Sequence, residues 1–82
     1  MVKEVLRTEH FLKQFRKLDN SLWERVEKLV AKIINEPEIG KPMQYNRKGT
    51  RELYLSSFRL SYSYDKLKDC LIFLDIYHKD EQ

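Results

Sequence analysis

The sequence predicts a small α+β domain: an N-terminal strand, then an αα-hairpin packed on a mainly antiparallel sheet of about four strands. Three features carry that expectation. Residues 9–34 hold two amphipathic helical stripes with a single polar break between them. Residues 51–77 hold three runs with strand alternation, and a chain of 82 residues has room for one core. Residues 1–82 therefore read as a single domain.

Val2–Arg7 alternates imperfectly and reads as a short first strand. Thr8 offers an N-cap with Glu9 favourable in the first turn, and Phe11, Leu12, Phe15 and Leu18 follow on one helical face. Asp19-Asn20-Ser21 breaks that helix. Ser21 and Glu24 have capping-box spacing, which predicts the start of the second helix. Leu22, Val26, Leu29, Val30 and Ile33 form its stripe, widened by Trp23 and Ile34. Pro37 stops it a residue or two early, because the residue before proline avoids helical geometry. The histidine, tryptophan and phenylalanines of these helices read as packing or surface residues. Glu38–Pro42 is a turn-rich connector, Met43–Tyr45 a short strand candidate, and Asn46–Thr50 a polar, basic loop.

In the C-terminal part, Arg51–Leu55 puts Leu53 and Leu55 on one face, Glu52 and Tyr54 on the other. Phe58–Asp65 sets Phe58, Leu60, Tyr62 and Tyr64 against Arg59, Ser61, Ser63 and Asp65. Cys70–Tyr77 is apolar almost throughout and reads as a central strand buried on both faces. Ser56-Ser57 and Lys66–Asp69 are short polar breaks suited to hairpins. Strict alternation along the last run groups Ile72, Leu74, Ile76 and His78 opposite Asp75, Tyr77 and Lys79.

Composition narrows the function. With 41% apolar and 35% charged residues the chain is of a folding kind. A core of this size nets on the order of 3–5 kcal/mol, so a stabilising partner would be unsurprising. Cys70 is the one cysteine, which excludes an internal disulfide, and its apolar surroundings read as a buried thiol in a reducing cytoplasm. No apolar run reaches the length of a membrane span, and MVKEVLRTEH is too charged for a signal peptide. His10, His78 and Cys70 lack ligand spacing and the chain has only two glycines, so neither a metal nor a nucleotide cofactor is expected.

The net charge is +3, and Lys41, Arg47, Lys48 and Arg51 cluster without an intervening acid, which suits an anionic partner such as RNA. Arg59, alone among serines on the polar face of a strand, is placed to receive a phosphate. RNA carries its own nucleophile, the 2′-hydroxyl. A protein that cuts it needs a base, cations for the transition state and an acid for the 5′ oxygen. Asp75, Tyr77 and His78 are the titratable groups of the last strand, with Asp75 a natural cross-strand partner for Arg59.

Phe15-Arg16-Lys17-Leu18-Asp19, Gly40-Lys41-Pro42, Phe58-Arg59-Leu60-Ser61-Tyr62 and Ile76-Tyr77-His78-Lys79 occur in that order. Together with the element order they resemble the RelE/ParE toxin superfamily of bacterial and archaeal toxin–antitoxin systems, over essentially the whole chain. The Gly-Lys-Pro connector and the Tyr-His pair are similar to the RelE and YoeB type of mRNA interferase. That resemblance implies a toxin that cuts mRNA in the ribosomal A site without metal or cofactor, leaves a 2′,3′-cyclic phosphate, and is neutralised by a RelB-like antitoxin. It also implies that Arg59 contacts the scissile phosphate, that His78 is the general acid, and that Lys79 supplies a further cation.

The chain departs from the pattern at three places. The strand that carries lysines in RelE-type toxins reads Glu52-Leu53-Tyr54, the YoeB-type glutamate after Gly-Lys-Pro is Met43, and Lys79 is followed by Asp80-Glu81-Gln82 without the terminal tyrosine. Glu52 and His78 are the substitutes for the base. Three readings follow: a cytoplasmic endoribonuclease acting with ribosome and mRNA, a ParE-like gyrase poison without catalysis, and a degenerate member that only binds its antitoxin.

Overall fold

The computed structural model describes residues 2–81. The elements are β1 (Glu4–Arg7), α1 (Glu9–Arg16), α2 (Asn20–Asn35), β2 (Lys41–Pro42), β3 (Arg51–Leu55), β4 (Phe58–Asp65) and β5 (Cys70–His78). The sheet runs β1-β5-β4-β3-β2, with β1 parallel to β5 and every other pair antiparallel. The α+β layout stands as expected, with five strands where about four were anticipated.

The fifth strand is Lys41–Pro42, not Met43–Tyr45. Tyr45 takes a φ of 58°, a left-handed conformation no strand continues through, and Tyr45–Arg47 winds into a 3-10 turn. Helix α1 is capped by Thr8, whose Oγ1 accepts from the Phe11 N–H at 3.0 Å. Helix α2 starts earlier than the Ser21–Glu24 spacing suggests. Asp19 is the cap, its Oδ1 accepting from the Leu22 N–H at 2.9 Å, and its charge also complements the positive end of the helix.

The two apolar stripes cover one face of the sheet. Phe11, Val26, Val30 and Ile33 meet Leu60, Tyr62, Leu71, Phe73 and Ile76 in one buried cluster. Trp23 sits at the margin, packed on Phe15 with ring centroids 5.4 Å apart. Cys70 is half-buried, less enclosed than expected, because it begins β5 close to the hairpin end.

Strand β5 breaks the expected alternation. Ser61 stands opposite Asp75 and Tyr62 opposite Phe73, which leaves Leu74 without a partner on β4. Above this bulge Ile76 and His78 share the helix side with Leu60 and Phe58; below it Leu71 and Phe73 do. Ile72 moves to the opposite face. Thr8 pins the bulge from the neighbouring edge: its N–H donates to Phe73 O at 3.0 Å and its Oγ1 to Leu74 O at 2.9 Å. The strand is therefore enclosed by helices on one face only, with Asp75 and Tyr77 facing the other.

The α2–β2 connector is tied to the core by Tyr62. Its hydroxyl accepts from the Gly40 N–H and donates to Pro37 O, both at 2.8 Å. A Cβ on residue 40 would lie 2.6 Å from that hydroxyl oxygen. Gly40→Ala is therefore expected to cost on the order of 2 kcal/mol in urea denaturation, since it must push aside a fully buried ring. A stability within 0.5 kcal/mol of the parent would contradict this packing. Burial also raises the Tyr62 phenol above its ordinary value of 10.0. A phenol raised in the folded state contributes stability that is full below pH 10 and lost as pH rises past it, so Tyr62→Phe should show a shallower alkaline loss than the parent.

Candidate functional site

The sheet face away from the helices carries two cross-strand rows. One runs Lys41, Glu52, Ser61, Asp75 across β2, β3, β4 and β5; the next runs Tyr54, Arg59, Tyr77. Each row follows from strand register, and the bulge at Leu74 is what brings Asp75 and Tyr77 into line with Ser61 and Arg59.

Glu52 is the buried charge of this face, only 2% exposed. Arg47 reaches over from the β2–β3 loop, and its Nη1 donates to Glu52 Oε2 and to Tyr77 Oη, each at 2.8 Å. The Tyr77 hydroxyl donates to the same Glu52 oxygen. The Arg47 guanidinium also lies over the Tyr77 ring, 5.4 Å from its centroid. The hydrogen bond with Tyr77 is the largest cause raising the Arg47 pKa above its ordinary value, against the opposing cost of burial. The guanidinium stays charged and Glu52 stays paired.

Arg59 does not rest over serines as the sequence suggests, nor does it pair with Asp75. Its guanidinium covers the Tyr54 ring at 4.0 Å and donates to Phe58 O at 3.2 Å. Asp75 instead faces His10 of α1, with Nε2 2.9 Å from Oδ1. That oxygen is shut off from solvent and no well-aligned hydrogen bond reaches it, so the contact is one of charge when the imidazole is protonated. His10, Gln14, Arg47, Asp75, Ile76 and Tyr77 line a cleft of ≈ 220 Å³ at the β5 side of the face.

The remaining sequence candidates divide. Lys41 lies in register with Glu52 on this face, and Lys48 is exposed in the adjoining loop. Arg51 pairs in register with Tyr62 and turns to the connector, donating to Glu38 O at 2.9 Å and Gly40 O at 2.8 Å. His78 is opposite Phe58 and packs edge-on against that ring at 5.4 Å, on the other side of the sheet from Arg59. Its Nδ1 accepts from the Asp80 N–H at 3.2 Å. Lys79 is exposed where the strand ends, its N–H donating to Ser57 O.

Sequence reasoning passed over His10, because a histidine on a helix beside an apolar stripe carries no local sign of a partner 65 residues away. The one available signal was Asp75, an acid inside an apolar run.

A family model, that of the ParE toxin of the type II toxin–antitoxin system parDE, matches residues 5–82. Among curated proteins no sequence relative matches. Several solved structures share the fold. The toxin–antitoxin complex RelBE2 of Mycobacterium tuberculosis superposes with a TM-score of 0.84 at 22% identity, over 95% of this chain and 99% of that one. The intact RelBE complex of E. coli gives 0.77 at 21%, over 90% and 93%. The YoeB/ParE toxin of Agrobacterium tumefaciens gives 0.80 at 13%, over 92% and 96%. At such identities the likeness is one of fold.

The Arg47–Glu52 contact makes a stability prediction. Removing Arg47 leaves a buried carboxylate short of its counter-charge, and the cost falls below the ~3–5 kcal/mol of a fully buried pair because the arginine side chain is 42% exposed. Arg47→Ala should lose about 2 kcal/mol in the parent but under about 0.5 kcal/mol in a Glu52→Gln background. Equal losses in both backgrounds, by urea denaturation, would show that the pair carries no coupling.

Proposed function

The chain belongs to the ParE toxin family of type II toxin–antitoxin systems, and from that premise we propose that it cuts mRNA on the ribosome, with the open face of its sheet as the site. The observation that carries the reading is Arg59 at the centre of that face, with Tyr54 and Tyr77 beside it and the Glu52 carboxylate one row away. Cations, aromatic rings and a carboxylate converging on one open surface suit a single-stranded RNA: rings stack bases, cations hold phosphates.

Arg59 takes the scissile phosphate, leaving the Tyr54 ring for a bidentate contact with two phosphate oxygens. Lys41, Lys48 and Lys79 attract the flanking backbone from the rim. An incoming phosphate also competes with Glu52 for Arg47. Once Arg47 turns to the phosphate, Glu52 accepts the 2′-hydroxyl proton. The 2′ oxygen then bonds to phosphorus and the bond from phosphorus to the 5′ oxygen breaks, giving a 2′,3′-cyclic phosphate and a 5′-hydroxyl end. The two arginines stabilise the charge on the equatorial oxygens. The partner that restrains this activity is a RelB-like antitoxin; RelBE complexes are among the structures of the same fold.

A second reading has its own support. Glu52 is buried and its Oε2 is held by two donors, and a face without an accessible base suits a ParE-like poison that acts on gyrase by binding alone. The two part on one experiment. Purified protein added to a translating extract should create new mRNA 5′ ends within translated codons, and Arg59→Ala should reduce them by on the order of 10²-fold or more. Intact mRNA, together with gyrase-dependent DNA breaks that survive Arg59→Ala, would establish the poison instead.

A further inference from the structure

We propose that His10, on α1, is the general acid of this site, held in place by Asp75. The assignment rests on the endonuclease reading and supplies what that reading lacks, a proton for the departing 5′ oxygen. The resemblance gives this task to His78, yet His78 faces the helix side, edge-on to Phe58. His10 reaches the open face by a different route. Helix α1 follows β1 directly, and β1 pairs β5 only from Cys70 to Phe73, so the rest of that edge is left to the helix. From there His10 lies over Asp75, which is diagonal to Arg59 across the β4–β5 pair.

The pair is built as an acid needs. Nε2 lies 2.9 Å from Asp75 Oδ1, which holds the protonated ring against the carboxylate by charge and leaves Nδ1 as the nitrogen not in that contact. The carboxylate oxygen is sealed from solvent and no well-aligned hydrogen bond reaches it, so a protonated imidazole at this distance is its counter-charge. The ring itself is accessible, with 57% of the side chain exposed. The groups that face it across the cleft are Gln14, Arg47, Asp75 and Tyr77, and of these Arg47 and Tyr77 are committed to Glu52. In the reaction Glu52 removes the 2′ proton, the 2′ oxygen bonds to phosphorus, and the 5′ oxygen leaves with a proton from His10 Nδ1. The imidazole ends neutral and Glu52 protonated, and a proton exchange through water resets both. Asp75 touches no reacting atom and is a positioning residue.

The test uses a leaving group that needs no proton. A ribosome-bound mRNA is prepared with sulfur in place of the 5′ bridging oxygen at a mapped cleavage site, alongside the ordinary oxygen linkage. Single-turnover cleavage is measured for the parent, His10→Ala and Asp75→Asn, with urea denaturation confirming that each variant folds. His10→Ala should cleave the oxygen linkage about 10²-fold or more slowly, yet cleave the sulfur linkage within about tenfold of the parent. Asp75→Asn should fall about tenfold on oxygen and recover on sulfur in the same way. Parental rates on oxygen for His10→Ala, or an equal loss on both linkages, would overturn the assignment while leaving the endonuclease reading intact. A parent protein that cleaves neither linkage would overturn both.

Discussion

The unpaired Leu74 in β5 is the constraint on which both faces of the sheet depend. Leu71, Phe73, Asp75 and Tyr77 all occupy odd positions, and an unbroken strand would put all four on one side. Either Asp75 would then enter the core or Phe73 and Leu71 would leave it. One extra residue resolves the conflict by changing the phase between Phe73 and Asp75. Thr8 makes the change durable, because one residue both caps α1 and bonds the two carbonyls that flank the irregularity. Helix placement, core composition and the open-face rows are thus consequences of a single local arrangement.

On the open face, the energies of the arginine contacts differ in a way that bears on function. Arg59 over Tyr54 is a cation–π contact at the surface, worth about 0.5–1 kcal/mol. A bidentate contact to a phosphate is roughly twice as strong as a neutral hydrogen bond, so Arg59 can exchange the ring for a phosphate at small cost. Arg47 is held harder, by a buried carboxylate and a phenol together. Under the proposed mechanism, a phosphate that draws Arg47 away frees Glu52 Oε2 of one of its two donors. The clamp stabilises the free protein, and under the proposed mechanism it couples release of Glu52 to arrival of the substrate.

Much of this architecture was legible in the sequence, and the exceptions share a cause. The helix stripes, the strand at Arg51–Leu55, the hairpins and the pairing of Glu52 with Tyr54 and of Arg59 with Ser61 on one side of their own strands all follow from local periodicity, which reports on neighbours along one element. Asp19 as a cap was hidden by the competing Ser21–Glu24 pattern. The bulge, the Arg47 clamp and the His10–Asp75 contact join residues far apart in sequence, and no period encodes them. Arg51 illustrates the same limit: beside Lys48 it reads as one more surface cation, while its partners are two carbonyls of the α2–β2 connector.

Under the proposed function, the fold constrains Arg59 more tightly than it constrains the proton-transfer groups. Arg59 lies on the middle strand of the sheet, so its position relative to a phosphate bound on that face is set by register alone. An acid or a base has more freedom, since any side chain that reaches the rim of the face from β3, from β5 or from α1 can approach the same phosphate. The chain departs from the RelE and YoeB pattern at these positions, with Met43 after Gly-Lys-Pro and His78 turned to the helices. What occupies the rim instead is Glu52 on one side of Arg59 and His10 on the other. A shared fold at 13–22% identity speaks for the frame alone, and under the proposed function it leaves the rim free to differ in its proton-transfer groups.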